Sequence, residues 1–152
     1  MPTNQYLLIL ACSQRKFNDK DLLPAIERYD GGSFRVLKKA KREQKKLDNI
    51  KILVLSAKYG LIEASTPIAN YEQRISKKRA EELNFQVLRT FKKYADTNDY
   101  IEIYIDLGLD YNLAIKGIYE LFPRAHFIFA KGRIGERLRQ LKLWLEEKSI
   151  DS

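Results

Sequence analysis

The sequence predicts a single α/β domain over residues 1–152, a three-layer sandwich with a mostly parallel four-stranded sheet flanked by helices. Three observations predict it. Residues 6–12 and 50–56 are short, continuous apolar runs, the pattern of strands buried on both faces of a parallel sheet. Amphipathic helical patterns follow each strand-like run, so the chain alternates strand and helix throughout. The length suits one domain, and no repeat or Pro/Ser-rich linker divides it.

The first strand, Tyr6-Leu7-Leu8-Ile9-Leu10-Ala11, runs into Cys12-Ser13-Gln14-Arg15-Lys16. A short helical turn is expected near residues 21–29. After Asp30-Gly31-Gly32, Ser33 is placed to cap a helix whose apolar face is Phe34, Leu37, Ala40, Gln44 and Leu47. The second strand, Ile50 to Leu55, runs into Ser56-Ala57-Lys58-Tyr59-Gly60-Leu61. Ala80, Leu83, Val87, Phe91 and Tyr94 mark the next helix. A third strand, Tyr100 to Asp106, alternates Ile101, Ile103 and Ile105 with Glu102 and Tyr104, which places it near an edge or on a half-covered face. Asp110 is expected to cap a helix carrying Leu113, Ile118 and Leu121, stopped by Pro123. Residues 125–130 form a fourth, apolar strand. Ile134, Leu138, Leu141 and Leu145 mark the last helix.

Composition narrows the function classes. The formal net charge is +8, which favours polyanionic partners such as nucleic acid or a nucleotide-like anion. No apolar run approaches the ~18 residues of a membrane span, and the N-terminus has no basic region ahead of its apolar stretch. One cysteine excludes an intrachain disulfide and fits a reducing cytoplasm. One cysteine and one histidine exclude a Cys/His zinc site, so no metal is expected. Neither a Walker A loop nor G-x-G-x-x-G is present, and no cofactor is expected.

If the parallel strands are adjacent, their carboxyl ends bring polar residues together where open α/β sheets bind ligands. Ser13, Lys16, Ser56 and Lys58 are expected to orient phosphate or base oxygens, with Cys12, Tyr59, Tyr71 and Tyr111 beside them. Lys131-Gly132-Arg133 forms a strand-to-helix turn in which two cations meet free N–H groups, a good anion holder or simply a tight turn. Asp106 is the candidate general base; it could equally cap the following turn. Ser13 could act as a nucleophile only with a desolvated lysine as its base. Cys12 is either a nucleophile or a small buried hydrophobe, and such a nucleophile would mark a covalent hydrolase. His126, within a strand, reads as a core or edge histidine. Separately, Lys38, Lys39, Lys41, Arg42, Lys45 and Lys46 stand against Glu43 alone on one helix, a face that tracks a phosphate backbone or is merely solvated.

These blocks resemble a family of uncharacterised bacterial and phage domains patterned C-S-x-x-K, Tyr-x-[Gly/Ser]-x-x-Phe and L-S-A-K-[His/Tyr]-G-L. Here they read Cys12 to Lys16, Tyr29-Asp30-Gly31-Gly32-Ser33-Phe34 and Leu55 to Leu61. The resemblance continues through Ile68-Ala69-Asn70-Tyr71, Gly108-Leu109-Asp110-Tyr111 and Gly132 to Leu138. The first clusters are also similar to those of the YaaA peroxide-stress group, which is linked to DNA binding. An archaeosine-synthase domain carries a similar cysteine–serine turn. The resemblance implies a nucleic-acid or nucleobase context and a strand-end site. Two positions depart from the pattern: Tyr59 stands where histidine is common, and Ala69-Asn70 replaces a proline before Tyr71. The leading expectation is therefore a protein that binds a nucleotide, nucleobase or nucleic acid at its strand ends and processes a base or glycosidic bond. The alternative is a non-catalytic DNA-binding or stress-protective protein working through its basic helices.

Overall fold

The computed structural model describes residues 5–13, 16–18, 21–43 and 46–149. In chain order these form β1 (Tyr6–Ala11), β2 (Leu23–Pro24), α1 (Ala25–Arg28), α2 (Gly32–Arg42), β3 (Ile50–Ser56), β4 (Gly60–Glu63) and β5 (Pro67–Ile68). There follow α3 (Lys77–Thr97), β6 (Glu102–Asp106), a 3-10 helix (Leu109–Ile115), α4 (Ile118–Leu121), β7 (His126–Phe129) and α5 (Ile134–Lys148).

The sheet runs β4-β3-β1-β6-β7, with β3, β1, β6 and β7 mutually parallel. The four expected strands are all present. A fifth, β4, folds back antiparallel on β3 through a tight turn at Gly60, whose φ of +77° suits glycine. Strands β2 and β5 make a separate two-stranded ribbon. Leu7, Ile9, Leu53 and Ile103 point into one core with Val87 and Phe91 of α3; Leu8, Leu10 and Val54 point into the other with Leu37 of α2 and Leu141 of α5. The helices thus cover both faces, and no helix among the described residues is long and apolar enough to cross a membrane.

Four local expectations change. β6 is an interior strand with Ile103 to Asp106 buried, and β7 takes the edge. The polar side of its alternation is covered by α5, where Trp144 Nε1 donates to Glu102 at 2.7 Å and the Trp144 ring lies 5.0 Å from Tyr104. Ser33 is not a cap: α2 begins at Gly32 with Gly31 as its N-cap, and ends at Arg42, before Gln44, which lies outside the described residues. The helix expected from Asp110 is a 3-10 turn capped at Gly108, broken from α4 by Gly117 at φ +102°. The Asn84 Nδ2 amide of α3, with two hydrogens to share, lies 3.0–3.1 Å from the carbonyls of Leu113, Ala114 and Lys116 and holds this segment to α3. Ile134 is 74% exposed rather than part of the core.

Candidate strand-end site

β1 is flanked by β3 and β6, and the chain leaves it towards β3 across one face before reaching β6 across the other. The crevice between β1 and β6 is therefore the switch point of the sheet. A cleft of about 370 Å³ opens there. Its walls are the end of β1 with Cys12 and Ser13, the first turn of α2, Asp106 at the end of β6 with Gly108 beyond it, and Gly132 with the first turn of α5. Neither α2 nor α5 has a side-chain cap on its first turn. Gly31 is needed for closeness: a Cβ there would lie 2.8 Å from Ser13 Cβ.

Asp106 forms the floor and is 7% exposed. Arg137 of α5 donates to its Oδ1 at 2.6 Å and to the Leu107 carbonyl at 3.0 Å, while Ser33 Oγ donates to Oδ2 at 3.0 Å. The carboxylate thus ties the starts of α2 and α5 to the end of β6. Arg137 and Ser33 lie outside the polar clusters that directly follow the strands in sequence.

Ser56 and Tyr71 lie in a second cluster at the ends of β1 and β3. Ser56 is fully buried, accepts the N–H groups of Lys58 and Tyr59 at 3.2 and 3.0 Å, and bonds Tyr71 OH at 2.8 Å. Tyr71 OH also bonds Tyr29 OH, a buried residue outside the serine–lysine clusters. Tyr29 is bridged to Lys16 through the backbone. The Lys16 and Lys58 ammonium groups sit 4.6 and 5.5 Å from the centre of the Tyr71 ring, and the Tyr59 ring lies 5.3 Å from it. Burial pushes the Tyr29 phenol up to about 12 and raises that of Tyr71 further. It also lowers the Lys16 pKa, because the charged form loses water.

Cys12 Sγ pairs with Tyr111 OH at 3.0 Å. Beyond this contact lies a second cleft of about 420 Å³, which shares Cys12 and Ser13 with the first. Of the Lys131-Gly132-Arg133 turn, only Gly132 lines the first cleft, with φ of +93°. The Lys131 backbone is held by the Gln140 side chain, with bonds of 3.1 and 2.8 Å, and Lys131 and Arg133 are exposed beside the cleft.

The basic helix is more engaged than its charge count suggests. Lys38 donates to the Tyr29 carbonyl at 3.2 Å and packs 4.8 Å from the Phe17 ring. Asp30 stands near both Lys38 and Arg35, at 3.9 and 3.1 Å, and Lys39 lies 3.9 Å from Glu43. Lys41 and Lys46 line a different groove, together with Asp48 and Glu63. Arg42 is exposed, and Lys45 lies outside the described residues. His126 is exposed on β7, 3.9 Å from Glu102. No three His, Cys, Asp or Glu side chains among the described residues are grouped to hold a metal ion.

No curated protein matches the chain. A family model matches residues 7–143, from the second residue of β1 to within α5, so the match takes in every wall of the cleft. The chain therefore belongs to DUF6884, a family of unknown function.

Proposed function

We propose that this protein binds a nucleotide, nucleobase or nucleic-acid phosphate at the carboxyl ends of β1, β3 and β6. One observation carries the reading: the starts of two helices of 11 and 15 residues, both without side-chain caps, wall a single cleft at the switch point of the sheet. Their first-turn N–H groups have no intrahelical partners and favour an anion. The likeness of the serine–lysine blocks to the YaaA group and to the archaeosine-synthase turn supports the same ligand class.

In this reading the first turn of α2, the Gly132 turn and Arg137 hold a phosphate. Ser13 stands on the cleft wall to orient its oxygens, while Lys16 and Lys58 add positive charge from the Tyr71 side. Lys131 and Arg133 supply further charge at the mouth. Ser56 is too deeply buried to touch a ligand and acts by fixing Tyr71. Asp106, held by Arg137 and Ser33 on the floor of this cleft, acts in this reading by fixing the cleft walls rather than as a base on the ligand.

Calorimetric titration with inorganic phosphate and nucleoside monophosphates tests the proposal. Lys16→Ala with Lys58→Ala is expected to weaken nucleotide binding about tenfold or more, the equivalent of ~1.4 kcal/mol. Unchanged affinity rejects the assignment. Lys39→Glu with Arg42→Glu, on the exposed face of α2, is expected to leave this binding unaltered. Loss of DNA binding in that variant alone would favour the basic-helix reading.

A further inference from the structure

The cleft beyond Cys12 and Ser13 is about as large as the phosphate cleft and is lined differently. Its apolar wall is Tyr111, which is buried, and Ile75, which packs against the core. Its polar rim is Gln73 and Arg74, from the segment before α3, and Asp110, from the 3-10 helix after β6. These three side chains make no hydrogen bond or ion pair with another described residue. They are an ambivalent amide, a donor-only guanidinium and an acceptor-only carboxylate. The Ser56–Tyr71 cluster, by contrast, satisfies its polar groups internally.

An apolar wall with a donor and an acceptor on its exposed rim suits a planar heterocycle. The rim also selects among heterocycles. Arg74 seeks a carbonyl oxygen, and an ionised Asp110 seeks a ring N–H. A lactam base, with N–H beside C=O, offers both. Adenine offers no carbonyl and places a ring-nitrogen lone pair where the carboxylate needs a proton. A phosphate would not choose this cleft over the first, since Asp110 faces it unpaired.

We infer that this second cleft is the base subsite of the ligand whose phosphate occupies the first, and that it selects lactam bases, such as hypoxanthine, guanine or uracil, over adenine. The inference rests on the phosphate reading above. Ser13, shared by both walls, lies under the sugar that joins the two ends.

Inosine and adenosine monophosphates differ only at the edge in question, so their affinities read the subsite directly. The wild-type protein should bind the inosine nucleotide at least about tenfold more tightly, a modest ratio because the rim is exposed. Asp110→Asn and Arg74→Gln should each cut that ratio below about threefold while leaving the affinity for inorganic phosphate unchanged. Both substituted side chains are exposed, and thermal melting verifies that the variants fold. Equal binding of the two nucleotides, a preference for adenosine, or a preference that survives both variants overturns the base subsite while phosphate binding stands. If neither nucleotide nor inorganic phosphate binds the wild-type protein, the phosphate reading fails and this inference falls with it.

Discussion

The two halves of the strand-end rim are built on opposite plans. On the β3 side, Ser56, Tyr71 and Tyr29 are buried and spend their hydroxyls on one another, with two lysines resting on the Tyr71 ring. On the β6 side, glycines and uncapped helix starts leave a cleft, and the buried charge, Asp106, is balanced across elements by Arg137 and Ser33. The difference teaches that polar residues gathered at strand ends leave a cleft only where small residues keep the space open.

Substitutions that unbalance each half measure this contrast. The largest effect is expected from Arg137→Met, which leaves the Asp106 carboxylate buried with Ser33 alone. Breaking such a pair costs about 3 kcal/mol, at the low end of the usual range because the Arg137 side chain is 26% exposed. Urea denaturation checks it, and Asp106→Asn in the same chain should restore much of the loss. No recovery in the double variant would mean that the buried charge is not what Arg137 balances.

Ser56→Ala comes next. It removes one of the two partners of the Tyr71 hydroxyl, which keeps Tyr29, and strands the N–H groups of Lys58 and Tyr59, at a cost of about 2 kcal/mol. A cost near zero would show that the β3 half is not closed by its own hydrogen bonds.

The third effect shows itself only in alkali. Burial raises the phenols of Tyr29 and Tyr71, so the folded state holds their protons more tightly than the unfolded chain. The resulting stability is fully present below the ordinary value of 10 and is lost as pH rises towards about 12. Stability measured across this window should fall less steeply in Tyr29→Phe.

The fold was legible where burial leaves a one-dimensional trace. The continuous apolar runs of β1 and β3 announce strands covered on both faces, and they do pair in parallel, Tyr6 opposite Ile50 to Ala11 opposite Leu55. β4 was not legible because Gly60-Leu61-Ile62-Glu63 shows neither a continuous apolar run nor an alternation. β6 misled because Glu102 and Tyr104 look solvent-facing until Trp144 is placed over them. In the site, clusters adjacent in sequence were readable, but their depth was not: Ser13 and Ser56 look alike, and only Ser56 is sealed. Arg137 was invisible for a related reason. It stands among other cations on α5, and only the packing of α5 beside Asp106 sets it apart from Arg133 and Arg139.

The walls of the first cleft come from residues 11–13, 31–34, 106–108 and 132–138, which are the first strand, the last helix and two segments between. A molecule seated there is a clasp that fastens α5 to β1. Its binding energy adds to the cohesion of the whole fold, by about 2.7 kcal/mol at a hundredfold excess over its dissociation constant. Occupancy should therefore be written in slowed amide exchange along α5, far beyond the few residues that touch the ligand.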